Sequence, residues 1–317
     1  MPNHKNNYGF VRVAAVSPPL GVGDINYNVG KILEFSQKAE KEGAAVILFP
    51  ELSITGYTVA DLFHQRILLA SARDGLEKIR KFSKGLKSVL IVGLPLEFEG
   101  KLFNVAAVVG GGRIYGMVPK TYLPGYKEFY EKRWFASSRD AISKEIDIFG
   151  KKVPFGADLL FRYKKQPEII FGIEICEDLW TPLPPSSFQT VAGALMIFNP
   201  SASPELVAKA EYRKKLVSQQ SARTVSAYVY ASSGVHESTT DLVYGGHSVI
   251  AENGYILAES ERFERKGSML ISDIDVEHLL HDREKTTSFG ESAHSAGMPV
   301  FRTIDIGLRF DLRRIGG

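Results

Sequence analysis

Apolar positions along the chain fall into two registers. Val11 to Val16, Ala44 to Phe49, Val89 to Leu94 and Ile169 to Ile175 are short runs rich in β-branched residues, each closed within two residues by Pro or a charged residue. Such runs predict strands buried on both faces. Between them, Asn26 to Glu42 places Val29, Ile32, Leu33 and Phe35 near one helical face. Asp61 to Lys84 does the same with Leu62, Phe63, Leu69, Leu76, Ile79 and Phe82, so both segments predict amphipathic helices lying on a sheet. Leu102 to Val118, with Gly110 to Gly112 at its centre, and Ser248 to Leu257, with Asn253 and Gly254, predict β-hairpins. A strand, helix, strand series follows from Ala194 to Ser232. Together these elements predict one α/β domain in which two layers of sheet pack together with helices outside. No linker, low-complexity tract or clear internal repeat interrupts it. After about Asp275 the pattern turns polar and basic. The expected organisation is therefore a domain over residues 1–285 and a C-terminal tail, or the start of a linker, over 286–317, with Arg302 to Gly317 outside the core.

Composition narrows the function. A chain of 317 residues with 44% apolar and 24% charged residues is ordinary for a globular protein. Its net charge of +3 is spread evenly, which excludes a strong electrostatic footprint for nucleic acid or an anionic membrane and leaves a small molecule as the expected ligand. Met1 to Asn7 is polar and no secretory core follows it, so a cytoplasmic protein is expected. The single cysteine, Cys176, excludes an internal disulfide and a Cys-rich metal cage; no metal site is expected.

The chemistry is carried by three strand ends. Ile47 to Pro50 lead into Glu51, Ile114 to Pro119 into Lys120, and Ile169 to Ile175 into Cys176. Side chains beyond strand ends are held by rigid elements yet reach a crevice. Each alone has a bland reading, the cysteine as a small buried hydrophobe and the charged residues as solvated ends. Together a carboxylate, an amine and a thiol supply what nucleophilic acyl transfer needs. An amide is a poor electrophile, so the attacker must be a thiolate, and a free thiol with a pKa near ~8.5 needs a neighbour to take its proton. Glu51 fits that task and can pass the proton to a departing amine. Lys120 fits as the positive charge beside the tetrahedral oxyanion.

The residues around this triad carry a resemblance. "LFPELSITGY" at 48–57, "VPKTYLPGYKEFYEKRWF" at 118–135, "GIEICEDLW" at 172–180, "NPSASP" at 199–204 and "REKTTSF" at 283–289 resemble the glutaminase domain of glutamine-dependent NAD synthetases, a branch of the nitrilase superfamily. The resemblance covers nearly the whole chain. It implies a four-layer α-β-β-α sandwich, with Glu51 as general base, Lys120 as transition-state stabiliser and Cys176 as nucleophile. It further implies that Glu128 is a second carboxylate orienting the lysine and substrate, and that the Glu177 amide is a second oxyanion donor. Tyr57, Tyr126, Ser201, Ser203 and Lys209 fall at substrate-binding positions. Glutamine presents opposite charges on one small carbon, so its site needs an acceptor and a donor a few ångströms apart; Glu177 fits as the acceptor for the ammonium, or alternatively caps the turn after Cys176.

The resemblance also implies a partner. Full-length NAD synthetases carry an ATP-dependent domain with a Ser-Gly-Gly-x-Asp-Ser loop that consumes the ammonia, and that loop is absent here. The chain is expected to be either part of a longer protein or a free-standing glutaminase partner, to use no cofactor for glutamine hydrolysis, with ATP and Mg confined to the synthetase domain, and to form a homo-oligomer. Tyr122 stands where the wider superfamily often has histidine, which favours this branch. Three rival readings stay open: another amidase of the superfamily acting on a small aliphatic or carbamoyl amide, a Cys–His enzyme using His236 or His247, and a non-catalytic interaction subunit.

Overall fold

The computed structural model describes residues 9–240, 242–294 and 297–308; Met1 to Asn7 and the last part of the expected tail, 309–317, lie outside them. In the first half, Phe10–Ser17 (β1), Ile25–Lys41 (α1), Val46–Leu48 (β2), Arg66–Phe82 (α2), Val89–Phe98 (β3), Lys101–Gly110 (β4) and Arg113–Pro119 (β5) follow in order. A short helix, Glu131–Trp134 (α3), and the hairpin Glu145–Ile148 (β6) and Lys151–Pro154 (β7) lead to the second half. That half contains Leu159–Tyr163 (β8), Ile170–Ile173 (β9), Pro185–Val191 (α4), Met196–Ser201 (β10), Lys209–Arg223 (α5), Ala227–Ser232 (β11), Val249–Glu252 (β12), Tyr255–Glu259 (β13) and Ser268–Asp275 (β14). Val276–Lys285 (α6), Thr287–Ser292 (α7) and Arg302–Ile306 (β15) close the described chain.

The strands form a six-stranded sheet in the order β14-β1-β2-β3-β4-β5 and a seven-stranded sheet in the order β13-β12-β11-β10-β9-β8-β15. Their topologies repeat. In the first sheet β1, β2 and β3 run parallel through α1 and α2, then β4 and β5 return antiparallel. In the second β9, β10 and β11 run parallel through α4 and α5, then β12 and β13 return antiparallel. Alternation along the strands fixes the layers. Val11, Val13 and Ala15 of β1 meet Phe171, Phe198 and Val229 in the core between the sheets, while Ala14 and Val16 pack under Val29, Ile32, Leu76 and Ile79 of α1 and α2. On the far side Tyr228 and Tyr230 of β11 face Val217 of α5. The result is the expected four-layer α-β-β-α sandwich.

Two sequence expectations need correction. The segment 61–84 is not one helix: a 3₁₀ turn at Ala60–His64 precedes α2. The region from Arg302 is not a tail, because β15 pairs parallel with β8 and buries Ile306 completely. Thr303 and Asp305 point outward while Ile304 and Ile306 point inward, so an edge strand with one polar face averages to a polar segment. Arg302 anchors it, donating to both oxygens of Asp158 at 2.7 and 2.8 Å.

Candidate active site

Glu51 follows β2, Lys120 follows β5 and Cys176 lies three residues beyond β9. These strand ends converge where the two sheets meet, and the Glu51 amide donates to the Ser201 carbonyl at the end of β10. The turns are tight. Leu52 and Cys176 both have positive φ, 52° and 46°, a left-handed conformation that a non-glycine side chain adopts only when its surroundings impose it. At Glu51 the surroundings include Gly93 of β3, where a Cβ would lie 2.2 Å from the Leu52 nitrogen. At Cys176 they include Asn199, whose Oδ1 accepts from the Cys176 amide at 2.9 Å while its Nδ2 donates to Tyr228 Oη. Asp178 completes the frame by accepting from the amides of Ile175 and Tyr122 at 2.8 and 2.7 Å, which ties the cysteine turn to the lysine turn.

Within this frame Lys120 Nζ donates to Glu51 Oε1 at 2.6 Å and to Glu131 Oε1 at 2.6 Å. Glu51 Oε1 also accepts from Asn104 Nδ2 at 2.6 Å, and its Oε2 accepts from the Ala202 amide at 2.9 Å. Glu131 Oε1 accepts in addition from Tyr57 Oη at 2.8 Å. All three charged groups are at most 1% exposed. Removing three ions from water costs several kcal/mol each before pairing offsets it, so stability alone gives no reason for this cluster. Burial works against the Lys120 charge, but Glu131 and Glu51 outweigh it and hold the ammonium pKa well above its usual value. Burial pushes Glu131 up to about 7 against the pull of Lys120.

The Cys176 thiol is coupled to the same cluster. Burial and then the negative charge of Glu51 push its pKa up, while Lys120 and a hydrogen bond from the Ala202 amide pull it down. The resting thiol is thus neutral, held so first by burial and then by the charge on Glu51, the carboxylate placed to receive its proton. Once Glu51 is protonated, that repulsion vanishes and the Lys120 charge remains. Cys176 opens into a cavity of about 470 Å³ that Glu177, Tyr126, Ser203 and Lys209 also line.

The expected site residues are placed as follows. Glu51 and Lys120 are paired at 2.6 Å, and both act electrostatically on the Cys176 thiol. Glu128 is not the carboxylate on the lysine; it lines the cavity wall, and Glu131 makes the contact. The charged run after Lys120 contains both, and only the turn through Pro124 and Tyr126, which sends Glu131 inward as the first residue of α3, distinguishes them. Glu177 does not cap the turn with its side chain: it accepts from Tyr126 Oη at 2.6 Å, and Asp178 fills the capping role. The Glu177 amide sits in the first turn after Cys176, where a helix leaves N–H groups unpaired. Tyr57 is buried, with its hydroxyl on Glu131. Ser201 is also buried and donates to Asn199 at 2.8 Å, so its side chain supports the cysteine turn. Ser203 and Lys209 line the cavity, and the Lys209 ammonium lies over the rings of Trp180 and Phe129 at 5.5 and 5.7 Å. Sequence reasoning missed Asn104, Asn199, Ala202 and Glu131, whose roles depend on contacts distant in the chain or on a turn.

A Cys–His arrangement is not what the fold builds. His247 is engaged at both ring nitrogens, by Arg213 at 2.9 Å and Glu259 at 3.0 Å, and the ionic groups acting on the thiol most strongly are Glu51, Lys120 and Glu131. Among the described residues no group of three His, Cys, Asp or Glu side chains is arranged to hold a metal ion, and no helix is long and apolar enough to cross a membrane.

Comparison with known proteins agrees with this geometry. Residues 12–282 match the carbon-nitrogen hydrolase family. The chain is 41% identical over 303 residues to the glutamine-dependent NAD(+) synthetase of Mycobacterium bovis, covering 95% of this chain and 44% of that protein. It is 31% identical to the synthetase of the same name from Aquifex aeolicus, covering 77% of this chain and 39% of that one. It thus spans less than half the length of these relatives. Among solved structures, a glutamine-dependent NAD(+) synthetase from Cytophaga hutchinsonii superposes with a TM-score of 0.75 at 27% identity, covering 84% of this chain and 43% of that one. An amidase of the nitrilase superfamily from Nesterenkonia superposes with a TM-score of 0.66 at 19% identity over 91% of this chain and 98% of that one, a likeness of fold. By its matched length and its architecture, this chain belongs to the carbon-nitrogen hydrolase family.

Proposed function

We propose that this chain is the glutaminase part of a glutamine-dependent NAD synthetase, releasing ammonia from the glutamine side-chain amide. The observation that carries the reading is the Lys120 ammonium held between Glu51 and Glu131, with both Glu51 and Lys120 acting on the Cys176 thiol. Glutamine enters the cavity beside Cys176, with Glu177 as the acceptor for its ammonium and Lys209 as the donor to its carboxylate. Glu51 takes the Sγ proton and the thiolate attacks the amide carbon. The oxyanion that forms is met by Lys120 and the Glu177 amide, each such donor being worth roughly 3 to 4 kcal/mol of barrier. Glu51 returns the proton to the leaving nitrogen, ammonia departs and a thioester on Cys176 remains. Water, activated by Glu51, then releases glutamate and restores the thiol.

The reading assigns consumption of the ammonia to an ATP- and Mg-dependent synthetase domain or subunit that amidates deamido-NAD. It places the protein in the cytoplasm as a homo-oligomer and requires no cofactor for hydrolysis itself. The similarity to synthetases that are only half covered by this chain supports the assignment. Ammonia release from glutamine, measured against asparagine, acetamide and a carbamoyl amide, tests it. A preference for glutamine of at least about a hundredfold in kcat/KM over acetamide and the carbamoyl amide is expected, since a site built to pair both charged groups rejects an analogue lacking them, and a smaller preference over asparagine, which keeps both groups and lacks one methylene. A preference for a simple aliphatic or carbamoyl amide would instead identify another amidase of the superfamily, and no hydrolysis of any of them a non-catalytic interaction subunit.

A further inference from the structure

The long connection between β11 and β12 carries a buried carboxylate outside the catalytic cluster. Glu237 is 4% exposed. Its Oε1 accepts from the Tyr57 amide at 2.8 Å, and its Oε2 accepts from the Thr58 amide at 3.0 Å and from Thr58 Oγ1 at 2.6 Å. Thr58 Oγ1 in turn accepts from the Ser238 amide at 2.8 Å. No Lys or Arg pairs with Glu237 among the described residues. Backbone N–H groups could be satisfied by a neutral carbonyl or amide, whereas a buried carboxylate without a cation carries a desolvation cost. What that carboxylate fixes is the backbone of Tyr57, and Tyr57 Oη is the second donor to Glu131 Oε1, the oxygen that holds Lys120. The same connection also supplies Tyr244, whose ring packs edge-on against Tyr57 with centroids 6.1 Å apart.

We propose that Glu237 is a positioning residue for the amide hydrolysis described above: by clamping the Tyr57–Thr58 backbone it sets the Tyr57 hydroxyl on Glu131 and so the place of the Lys120 ammonium. The proposal rests on the glutaminase reading for its turnover readout, but not for its thiol readout. If the clamp loosens, Tyr57 releases Glu131, and Lys120 moves away from the thiol whose ionisation it favours. A misplacement of about 1 Å in such a cluster costs on the order of a hundredfold in rate.

The test compares the full chain with Glu237→Gln and Thr58→Val by three measurements. These are kcat and KM for ammonia release from glutamine, the pH midpoint of Cys176 alkylation by iodoacetamide, and the melting temperature. For Glu237→Gln, kcat is expected to fall at least about tenfold with KM within about twofold, and the alkylation midpoint to rise by about half a unit or more. Thr58→Val, which removes the shortest contact, is expected to move both in the same direction by less. A folded Glu237→Gln protein with wild-type kcat and alkylation midpoint overturns the proposal, whatever its melting temperature. If Glu237→Gln does not fold, wild-type values in Thr58→Val overturn it. Should the wild type release no ammonia from glutamine, the glutaminase reading fails on its own and the alkylation midpoint alone decides the role of Glu237.

Discussion

Glu131 receives Lys120 Nζ at 2.6 Å through Oε1, while Oε2 of the same carboxylate is buried without a hydrogen-bond partner. A carboxylate so placed orients the lysine and balances its charge. Glu131→Gln keeps the shape and removes the charge, and kcat for amide hydrolysis is expected to fall by about 10- to 1,000-fold with a much smaller change in KM. Glu128→Gln, on the cavity wall, is expected to change KM more than kcat. Steady-state ammonia release for both variants checks the assignment.

Removing the proposed general base, Glu51, should separate thiol reactivity from turnover. Because the Glu51 charge raises the thiol pKa while Lys120 lowers it, Glu51→Gln is expected to begin alkylation by iodoacetamide at a lower pH than the wild type. Hydrolysis should nevertheless fall by at least about a thousandfold, since nothing then carries the proton to the leaving nitrogen. Alkylation rates across a pH series, set beside ammonia release, provide the measurement.

The Glu51 turn depends on the lack of a side chain at position 93. A Cβ there would meet the Leu52 nitrogen at 2.2 Å and the Pro50 oxygen at 2.9 Å, all backbone atoms that cannot rotate away. Gly93→Ala is expected to destabilise the fold by about 1 to 3 kcal/mol and to reduce kcat even where the protein remains folded. Gly30→Ala, in α1 with nothing within 4 Å, is the control and should be neutral or stabilising by about 0.5 to 1 kcal/mol. Chemical denaturation and turnover of the two variants distinguish them.

Buried carboxylates give the stability a definite pH dependence. Burial pushes Glu174 from its ordinary 4.5 up to about 7, although Tyr228 Oη and the Ser186 amide both donate to it. Between those two values the native chain binds more protons than the unfolded one, so the contribution of Glu174 is full below about 4.5 and is lost as pH rises through about 7. His247, held below its ordinary 6.5 mainly by burial, contributes a slope of the opposite sign, which makes a difference measurement the useful one. Wild-type stability minus that of Glu174→Gln is expected to fall as pH rises from about 5.5 to about 8. Urea unfolding of both proteins at the two pH values checks the sign.

The parts of the fold that announced themselves were those whose pattern is local. The runs at 11–16, 44–49, 89–94 and 169–175 became β1, β2, β3 and β9, and the two glycine-centred hairpins became β4–β5 and β12–β13, because apolar runs and turn residues act within a few positions. The triad was legible for the same reason, each member standing beyond a strand. Glu131 was not, since its inward direction is set by the turn at 124–131 rather than by spacing from Lys120. Asn199 and Asn104 look like ordinary strand residues, and only the pairing of β9 with β10, and of β3 with both β2 and β4, brings them to Cys176 and Glu51. β15 escaped notice because its polar face is solvated at a sheet edge.

The whole of the proposed mechanism passes through the sulfur of Cys176. Mass spectrometry of the protein after exposure to a diazo-ketone analogue of glutamine should show one adduct, located on Cys176, formed in step with loss of ammonia release and slowed by free glutamine. Full ammonia release from glutamine by a chain whose Cys176 stays unmodified, or is replaced by alanine, would contradict it.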